Sequence, residues 1–522
     1  MSKQTFLKGT LILIIAGLIT RILGFINRIV VARLIGEEGV GLYMMAIPTY
    51  VLTITLTQMG LPVAISKLVA EAEAQGDRRK IKKILVVSLS ITGTLSILFT
   101  PLMIFLAPLL SETLLTDERT YYPLLAISPI VPIVAISSVL RGYFQGRQNM
   151  KPPAYSQVIE QVVRITLVYL FTKAFLPYGI EYAAAGAMLS AVVGELMSLI
   201  YLFFMFKMKK RIRIRKDFFK FAKDGKETFH DLTRIGIPTL GSRLIGSVSW
   251  FFEPIVVAQS LAIAGVVTHI ATRQYGELTG FALPLLMLPS FITYSLSTAL
   301  VPAISEAAAK KQTLLIEYRL KQALRLSLVS GGLAIVILYV FASPVMELMY
   351  GNSNSAIYIK IMAPFFIFYY FQGPLQATLQ ALDLAKAAMI NSFIGNLVKT
   401  AAIFILATRP SLGIMGAALA IMIGMVLVTL LHFSTIVKVI SYSFYVRDYV
   451  KSFVTMILSG LAGHYFYINF LIGSSLVVKT LVAILVTSVV YFILLLLFRL
   501  LTKEEIRRIP LIGPKLSGML FS

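Results

Sequence analysis

The 522-residue chain is 57 % hydrophobic and only 14 % charged, with a mean hydropathy of +0.84 and no cysteine. That apolar content exceeds what a soluble core absorbs, and the missing cysteines exclude disulfides and thiolate metal ligands. A formal net charge of +24 suggests nucleic acid until the cations are located along the chain.

Apolar runs fall at roughly 5–33, 40–62, 84–109, 121–142, 154–176, 180–206, 234–262, 276–303, 322–342, 357–382, 386–407, 411–436, 449–468 and 475–499. A helix needs about 20 apolar residues to cross a hydrocarbon core of roughly 30 Å, so the runs predict an all-α polytopic membrane protein with 14 transmembrane helices. Lys3 and Lys8 stand at the start of the first run, as cations do in a signal peptide. The run exceeds signal-peptide length and shows no convincing small-residue cleavage site, which predicts a retained helix.

Arg21 lies near the middle of that first run, and Arg28 follows seven positions later on the same helical face. An arginine at membrane depth costs about 2.5–3.5 kcal/mol unless it faces water or a partner. Two on one stripe therefore predict a helix with its back to lipid and its face to a wet cavity, with Asn27 beside them; the alternative has Arg28 snorkelling to the outer interface and Arg21 neutralised by a neighbouring helix. In the fifth run Glu160 and Arg164 are i,i+4 neighbours that can pair. Glu195 in the sixth is either a partner for one of these cations or a gating carboxylate. Arg243 and Glu253 share the seventh run with Pro254, which predicts a kink. Arg273 and Glu277 straddle the mouth of the eighth, as a gate or, preferably, a solvated cap. Lys360 and Lys479 lie near helix ends and are read as snorkelling. Pro48, Gly60 and Pro62 in the second run, and Gly276, Gly280, Pro284, Pro289 and Pro302 in the eighth, predict hinges and close approaches.

With the N-terminus inside, the inner segments carry 34 of the 48 cations and the outer ones five: Arg33, Arg119, Lys173, Arg273 and Arg409. This is the positive-inside pattern, with both termini cytoplasmic. Arg141, Arg147 and Lys151 are counted here as one inner group. The basic stretch 207–226 reads as a topology anchor attracted to anionic lipid, and no nucleic-acid partner is expected. The outer connections are too short to hold a folded domain.

The chain also repeats itself. Ala64-Ile65-Ser66 recurs as Ala303-Ile304-Ser305, 239 positions later; Gly93 matches Gly332, and Met150 matches Met389. At a shrinking offset Val163-Arg164 matches Val398-Lys399, and Gly186 and Gly194 match Gly416 and Gly424. The predicted organisation is two six-helix lobes in a parallel repeat, 1–206 and 231–437. A basic cytoplasmic linker, 207–230, joins them; two additional helices, 438–500, and a basic cytoplasmic tail, 501–522, follow. Lys399, the mate of Arg164, gives each half a cation at a corresponding depth. Two such cations suit a diphosphate. The candidate substrate-binding cations are Arg21, Arg28, Arg164, Arg243 and Lys399; the gating or coupling candidates are Asn27, Glu160, Glu195, Glu253, Arg273 and Glu277.

Catalysis finds little support. GxxxxGK[ST], HExxH and GxSxG are absent, His230, His269, His432 and His464 have no metal-ligand spacing, and the loop acids Glu37, Glu38, Glu112, Asp117, Glu118 and Glu347 are scattered. No enzyme, cofactor or metal is expected. The alternatives are a cation-coupled drug exporter, a membrane-embedded transferase and a non-transporting cell-wall scaffold.

The stretches TRILGFINRIVVARLIGEEGVGLY, GLPVAISKLVAEA and YGELTGFALPLLMLPSFITYSLSTALVPAISEA resemble the multidrug/oligosaccharidyl-lipid/polysaccharide flippase superfamily. Within it they resemble the stage V sporulation protein B branch of endospore formers, related to the lipid II flippase. The resemblance spans essentially the whole chain. It implies a V-shaped pair of six-helix lobes around a cationic cavity and a last helix pair that grooves a polyprenyl tail. It places the family's cavity arginine at Arg21, in Thr20-Arg21-Ile22-Leu23-Gly24-Phe25. Where the family often has an Arg-Asp pair this chain has Asn27 and Arg28. Where some relatives bind sodium through acids on the seventh and eleventh helices, the eleventh here has Asn391 and Asn396 and no acid. The implied function is translocation of a polyprenyl-diphosphate-linked peptidoglycan precursor by a monomer in the cytoplasmic or forespore membrane. Coupling to membrane potential or to a monovalent cation, contact with membrane lipids and contact with cell-wall synthesis proteins are implied with it.

Overall fold

The computed structural model describes residues 6–208, 224–440, 442, 446–470 and 473–500. Most of the predicted linker, 209–223, and the tail, 501–522, lie outside the described residues. Every regular element among the described residues is helical. In order they are α1 (Phe6–Gln58), α2 (Leu61–Ala74), α3 (Arg78–Leu109), α4 (Tyr121–Ile127), α5 (Ile130–Gly146), α6 (Lys151–Phe175) and α7 (Ile180–Met208). Then come α8 (Lys226–Ile263), α9 (Thr268–Gly276), α10 (Leu283–Met287), α11 (Ser290–Ala309), α12 (Thr313–Val340) and α13 (Ala342–Tyr350). The last are α14 (Ala356–Met362), α15 (Phe366–Ala381), α16 (Ala385–Ala407), α17 (Ile414–Val437), α18 (Val446–Asn469) and α19 (Leu476–Leu497).

All fourteen apolar runs are helical over most of their length. Among the described residues, nine helical stretches are long and apolar enough by themselves to cross a membrane, ten if the bent pair Thr268–Met287 and Ser290–Ala309 is one span. The stretch Lys151–Phe175 is not one of the nine; its centre carries Glu160 and Arg164. The first two runs join in α1 across Gly36, whose φ of 64° and ψ of −169° no side chain adopts readily. Met59 and Gly60, both at positive φ, then separate α1 from α2. A π-helical turn, Glu277–Ala282, joins α9 to α10, and Pro289 opens α11. Gly60, Gly276, Gly280 and Pro289 are among the residues that predicted bending; Gly36 is not, and the predicted Pro48 and Pro302 lie inside α1 and α11.

Burial follows lipid rather than water. On α18 the buried residues include Ser452, Thr455, Ser459, Gly460 and Gly463, while Leu461 is 62 % exposed. On α19 Thr480, Ala483, Thr487 and Tyr491 are buried, while Leu481 and Leu485 face out. Small and hydroxyl residues at the helix seam with leucines outside is the pattern of helices that pack in hydrocarbon. Thr455, Ser459 and Thr487 each return a hydrogen bond to their own helix, Thr455 to the Lys451 carbonyl at 2.9 Å.

The chain divides into two compact units, Met1–Phe281 with Thr400–Ala417, and Ala282–Lys399 with Ala418–Ser522. The first has a core built on Leu61, Ile65, Ile81, Leu85 and Leu140, and the second one on Leu300, Ile304, Leu320, Leu324 and Leu379. Position for position these are 239 residues apart. A side chain at Gly194 would meet the Glu160 carbonyl at 2.8 Å and Arg164 Cβ at 3.3 Å; one at Gly424 would meet Lys399 Cβ at 2.6 Å and the Gly395 carbonyl at 3.3 Å. The repeat seen in the letters is thus a repeat of packing: one glycine in each half lets the following helix close onto the turn that carries the cation.

Candidate functional site

On the first segment of α1, Arg21 and Arg28 are exposed, and so are Ile15, Leu18, Ile22 and Ile26. Asn27 is buried, and its Oδ1 has no hydrogen-bond partner among the described residues. The helix therefore presents both guanidiniums outward from a seam that holds Ala16, Asn27 and Val31.

The densest charge cluster of the first unit lies behind that helix. Arg164 Nη2 on α6 is 3.1 Å from Glu160 Oε1, the predicted i,i+4 pair. The pair does not stand alone. Arg141 Nη2 on α5 is 3.0 Å from Glu195 Oε1 on α7 and 3.6 Å from Glu160 Oε2, and it donates to Ser198 Oγ at 2.9 Å. Three helices thus contribute two arginines and two glutamates whose charges cancel. All four side chains are at most one-fifth exposed. Tyr50, on the second segment of α1, lies within electrostatic reach of Arg164, Glu160 and Arg28. The Arg141 and Arg164 Nε groups and Gln161 Oε1 keep unused hydrogen-bonding capacity.

This corrects two expectations. Arg141, counted with the inner cations that set orientation, is a helix residue tied into a buried network. Glu195 pairs with Arg141, outside the set of cations considered for it. The sequence signal for Arg141 is a lone arginine directly after Ala135-Ile136-Ser137-Ser138-Val139-Leu140 on α5, where Ser137, Ser138 and Leu140 are buried.

A second network sits at the turn before α4. Asp117, 3 % exposed, accepts from Arg119 and from Thr272 Oγ1, and Arg119 Nη1 reaches Glu38 at 2.6 Å. Burial opposes the Asp117 charge, but the bonds from Arg119 and Thr272 outweigh it and hold the carboxyl below its usual range. Nearby, Arg273 Nε lies 3.4 Å from the buried Glu277 and 3.8 Å from Glu37. Arg273 itself is exposed. Loop acids read as scattered are therefore joined across 81 and 155 residues of chain.

The remaining candidates are separate. Arg243 is exposed on α8 and forms no ion pair with another described residue. Glu253 is buried, within electrostatic reach of Tyr275. In the second unit Lys399 is partly buried on α16, against Gly424. Asn391 donates to Thr435 Oγ1 at 2.9 Å and lies 3.3 Å from His432 Nδ1, so it is bound into α17.

The family model described as polysaccharide biosynthesis protein matches residues 6–308, and the one described as MatE matches 278–405. The chain is 66 % identical over 515 residues to stage V sporulation protein B of Bacillus subtilis (strain 168), covering 98 % of this chain and 99 % of that one. It is 25 % identical over 492 residues to the lipid II flippase MurJ of the same organism, covering 88 % of each. Among solved structures, the lipid II flippase MurJ in an inward closed conformation superposes with a TM-score of 0.69 at 17 % identity, over 93 % of this chain and 98 % of that one. An inward-facing multidrug resistance MATE family transporter of the MOP superfamily gives 0.65 at 17 % identity, over 80 % and 93 %.

Proposed function

The chain belongs to the polysaccharide biosynthesis protein family, within the stage V sporulation protein B branch of the MOP superfamily of membrane transporters, and from that premise we propose that it flips a lipid-linked peptidoglycan precursor of the lipid II type. The observation that carries this is the pair of exposed guanidiniums, Arg21 and Arg28, two turns apart on one helix of a membrane protein. An anionic diphosphate with a sugar head is the ligand that two exposed cations on one helical face attract, and the polyprenyl tail stays in lipid. Arg164, Lys399 and Arg243 are the further cations in this reading, with Asn27, Glu160, Glu195, Glu253, Arg273 and Glu277 gating or coupling. Fourteen crossings, lobes at 1–206 and 231–437, the pair at 438–500 and two cytoplasmic termini complete it. The setting is the cytoplasmic or forespore membrane and the pathway spore cortex synthesis. An inside-negative potential returns an emptied cationic site inward, with roughly 2.3 kcal/mol per charge per 100 mV; a monovalent cation is the other candidate for coupling.

The test is a leaflet-sidedness assay for lipid II with purified protein in vesicles. Wild type exposes lipid II to the far leaflet, and Arg21→Ala abolishes this while keeping the helical content and elution profile. Wild-type-like flipping by Arg21→Ala removes that residue from the mechanism. The MatE match over 278–405 favours a second reading, cation-coupled drug export, which dye efflux against a sodium or proton gradient without lipid II translocation would establish instead.

A further inference from the structure

The network on α5, α6 and α7 contains one arginine more than the Glu160–Arg164 pair needs. We infer that Arg141 is a positioning residue: it neutralises Glu195, so that Glu160 alone opposes Arg164 and the Arg164 charge stays available to an anionic diphosphate. The inference rests on the proposed lipid-diphosphate substrate.

The distances rank the partners. Arg141 Nη2 is closer to Glu195, at 3.0 and 3.3 Å to its two oxygens, than to Glu160, at 3.6 Å. The Ser198 hydroxyl accepts from the same nitrogen at 2.9 Å and fixes its direction. Glu195 is 3 % exposed. A buried carboxylate without its cation draws strongly on the next nearest positive charge, and in this cluster that charge is Arg164.

The second half provides an independent comparison. At the repeat offsets, Arg164 corresponds to Lys399 and Glu160 to Gly395, while Arg141 corresponds to Gln380 and Glu195 to Met425. The first half thus carries two carboxylates and one arginine that the second lacks, and by distance that arginine goes with Glu195. Arg141 and Glu195 therefore form one neutral insertion into a site whose repeated feature is a single cation beside a packing glycine. Gly194 and Gly424 hold Arg164 and Lys399 in the same local packing, so the insertion adds a charge pair without moving the cation.

Full-length protein in vesicles, assayed by initial rate against the concentration of a fluorescent lipid II with a shortened prenyl chain, separates the possibilities. Arg141→Gln raises the apparent KM on the order of tenfold, the scale of one close charge in a partly desolvated site, with the maximal rate little changed. Arg141→Gln combined with Glu195→Gln returns KM towards wild type, because the two charges leave together. Glu195→Gln alone lowers KM, since Arg141 then takes a larger share of Glu160. This variant carries the test if Arg141→Gln does not fold. An unmoved KM in Arg141→Gln, a double variant no better than the single, or a raised KM in Glu195→Gln overturns the inference. Arg164→Gln separates the levels. A raised KM there beside an unmoved Arg141→Gln rejects the positioning role alone, and an unmoved KM in Arg164→Gln rejects the diphosphate reading together with it.

Discussion

Asp117 shows how one residue converts loop chemistry into stability. Its Oδ1 accepts from the Arg119 backbone and Nε, and its Oδ2 from Arg119 Nη2 and Thr272 Oγ1. A carboxyl whose folded pKa is depressed stabilises the fold above its unfolded value, near 3.9, and that contribution fades as pH falls through the folded value. Asp117→Asn should therefore lower the melting temperature at pH 7, by about 1–3 kcal/mol of stability for a buried hydrogen-bonded charge. The gap to wild type should narrow below about pH 4. Thermal unfolding of both proteins in detergent at the two pH values checks this; a gap that widens on acidification refutes it. Arg21 makes the contrast. Being exposed, it should cost less than about 0.5 kcal/mol on truncation, so loss of flipping by Arg21→Ala with an unchanged melt separates function from fold.

At the scale of elements, close approach decides more than propensity does. Gly60, at φ 67°, lies so near the Gly236 carbonyl of α8 that an added Cβ would collide with backbone, whereas Gly246 on the same helix has open space. Thr55 Oγ1 meets Ser247 Oγ at 3.0 Å one stretch away, so the two helices run together along this seam. Gly60→Ala should destabilise by more than about 1 kcal/mol, from backbone strain and displacement of α8, while Gly246→Ala should be neutral or stabilising by about 0.4–1 kcal/mol. Melting of both variants decides; equal effects would mean that the seam yields freely. The helices themselves were legible, because unbroken apolar runs and positive-φ glycines are local signals. The partner of Glu195 was not. A charge count along the chain cannot distinguish Arg141, turned into a three-helix network, from Arg147, whose guanidinium reaches Glu73 at 2.9 Å. Nor could spacing reveal that Glu38, Asp117 and Thr272 meet, since that contact depends on how α1 and α9 pack.

For the whole molecule, the repeat was legible in order and offset, and the matched cores around Leu61 and Leu300 give it a physical meaning: the same burial pattern is used twice. Orientation rests on a different physics, the cost of moving cations across the membrane during insertion. The helix Lys226–Ile263 provides a direct test, because it has 38 residues and spans about 57 Å at 1.5 Å per residue, well beyond the hydrocarbon. Its two ends must then emerge on opposite sides. The chain has no cysteine, so a single introduced thiol reports without background. Asp224→Cys, next to the basic stretch, should react with a membrane-impermeant maleimide only after the cells are opened, and Gly265→Cys should react in intact cells. Labelling of Asp224→Cys from outside would invert the orientation. It would also turn the proposed entry of the diphosphate head to the wrong leaflet, so the outcome bears on the direction of transport as well as on topology.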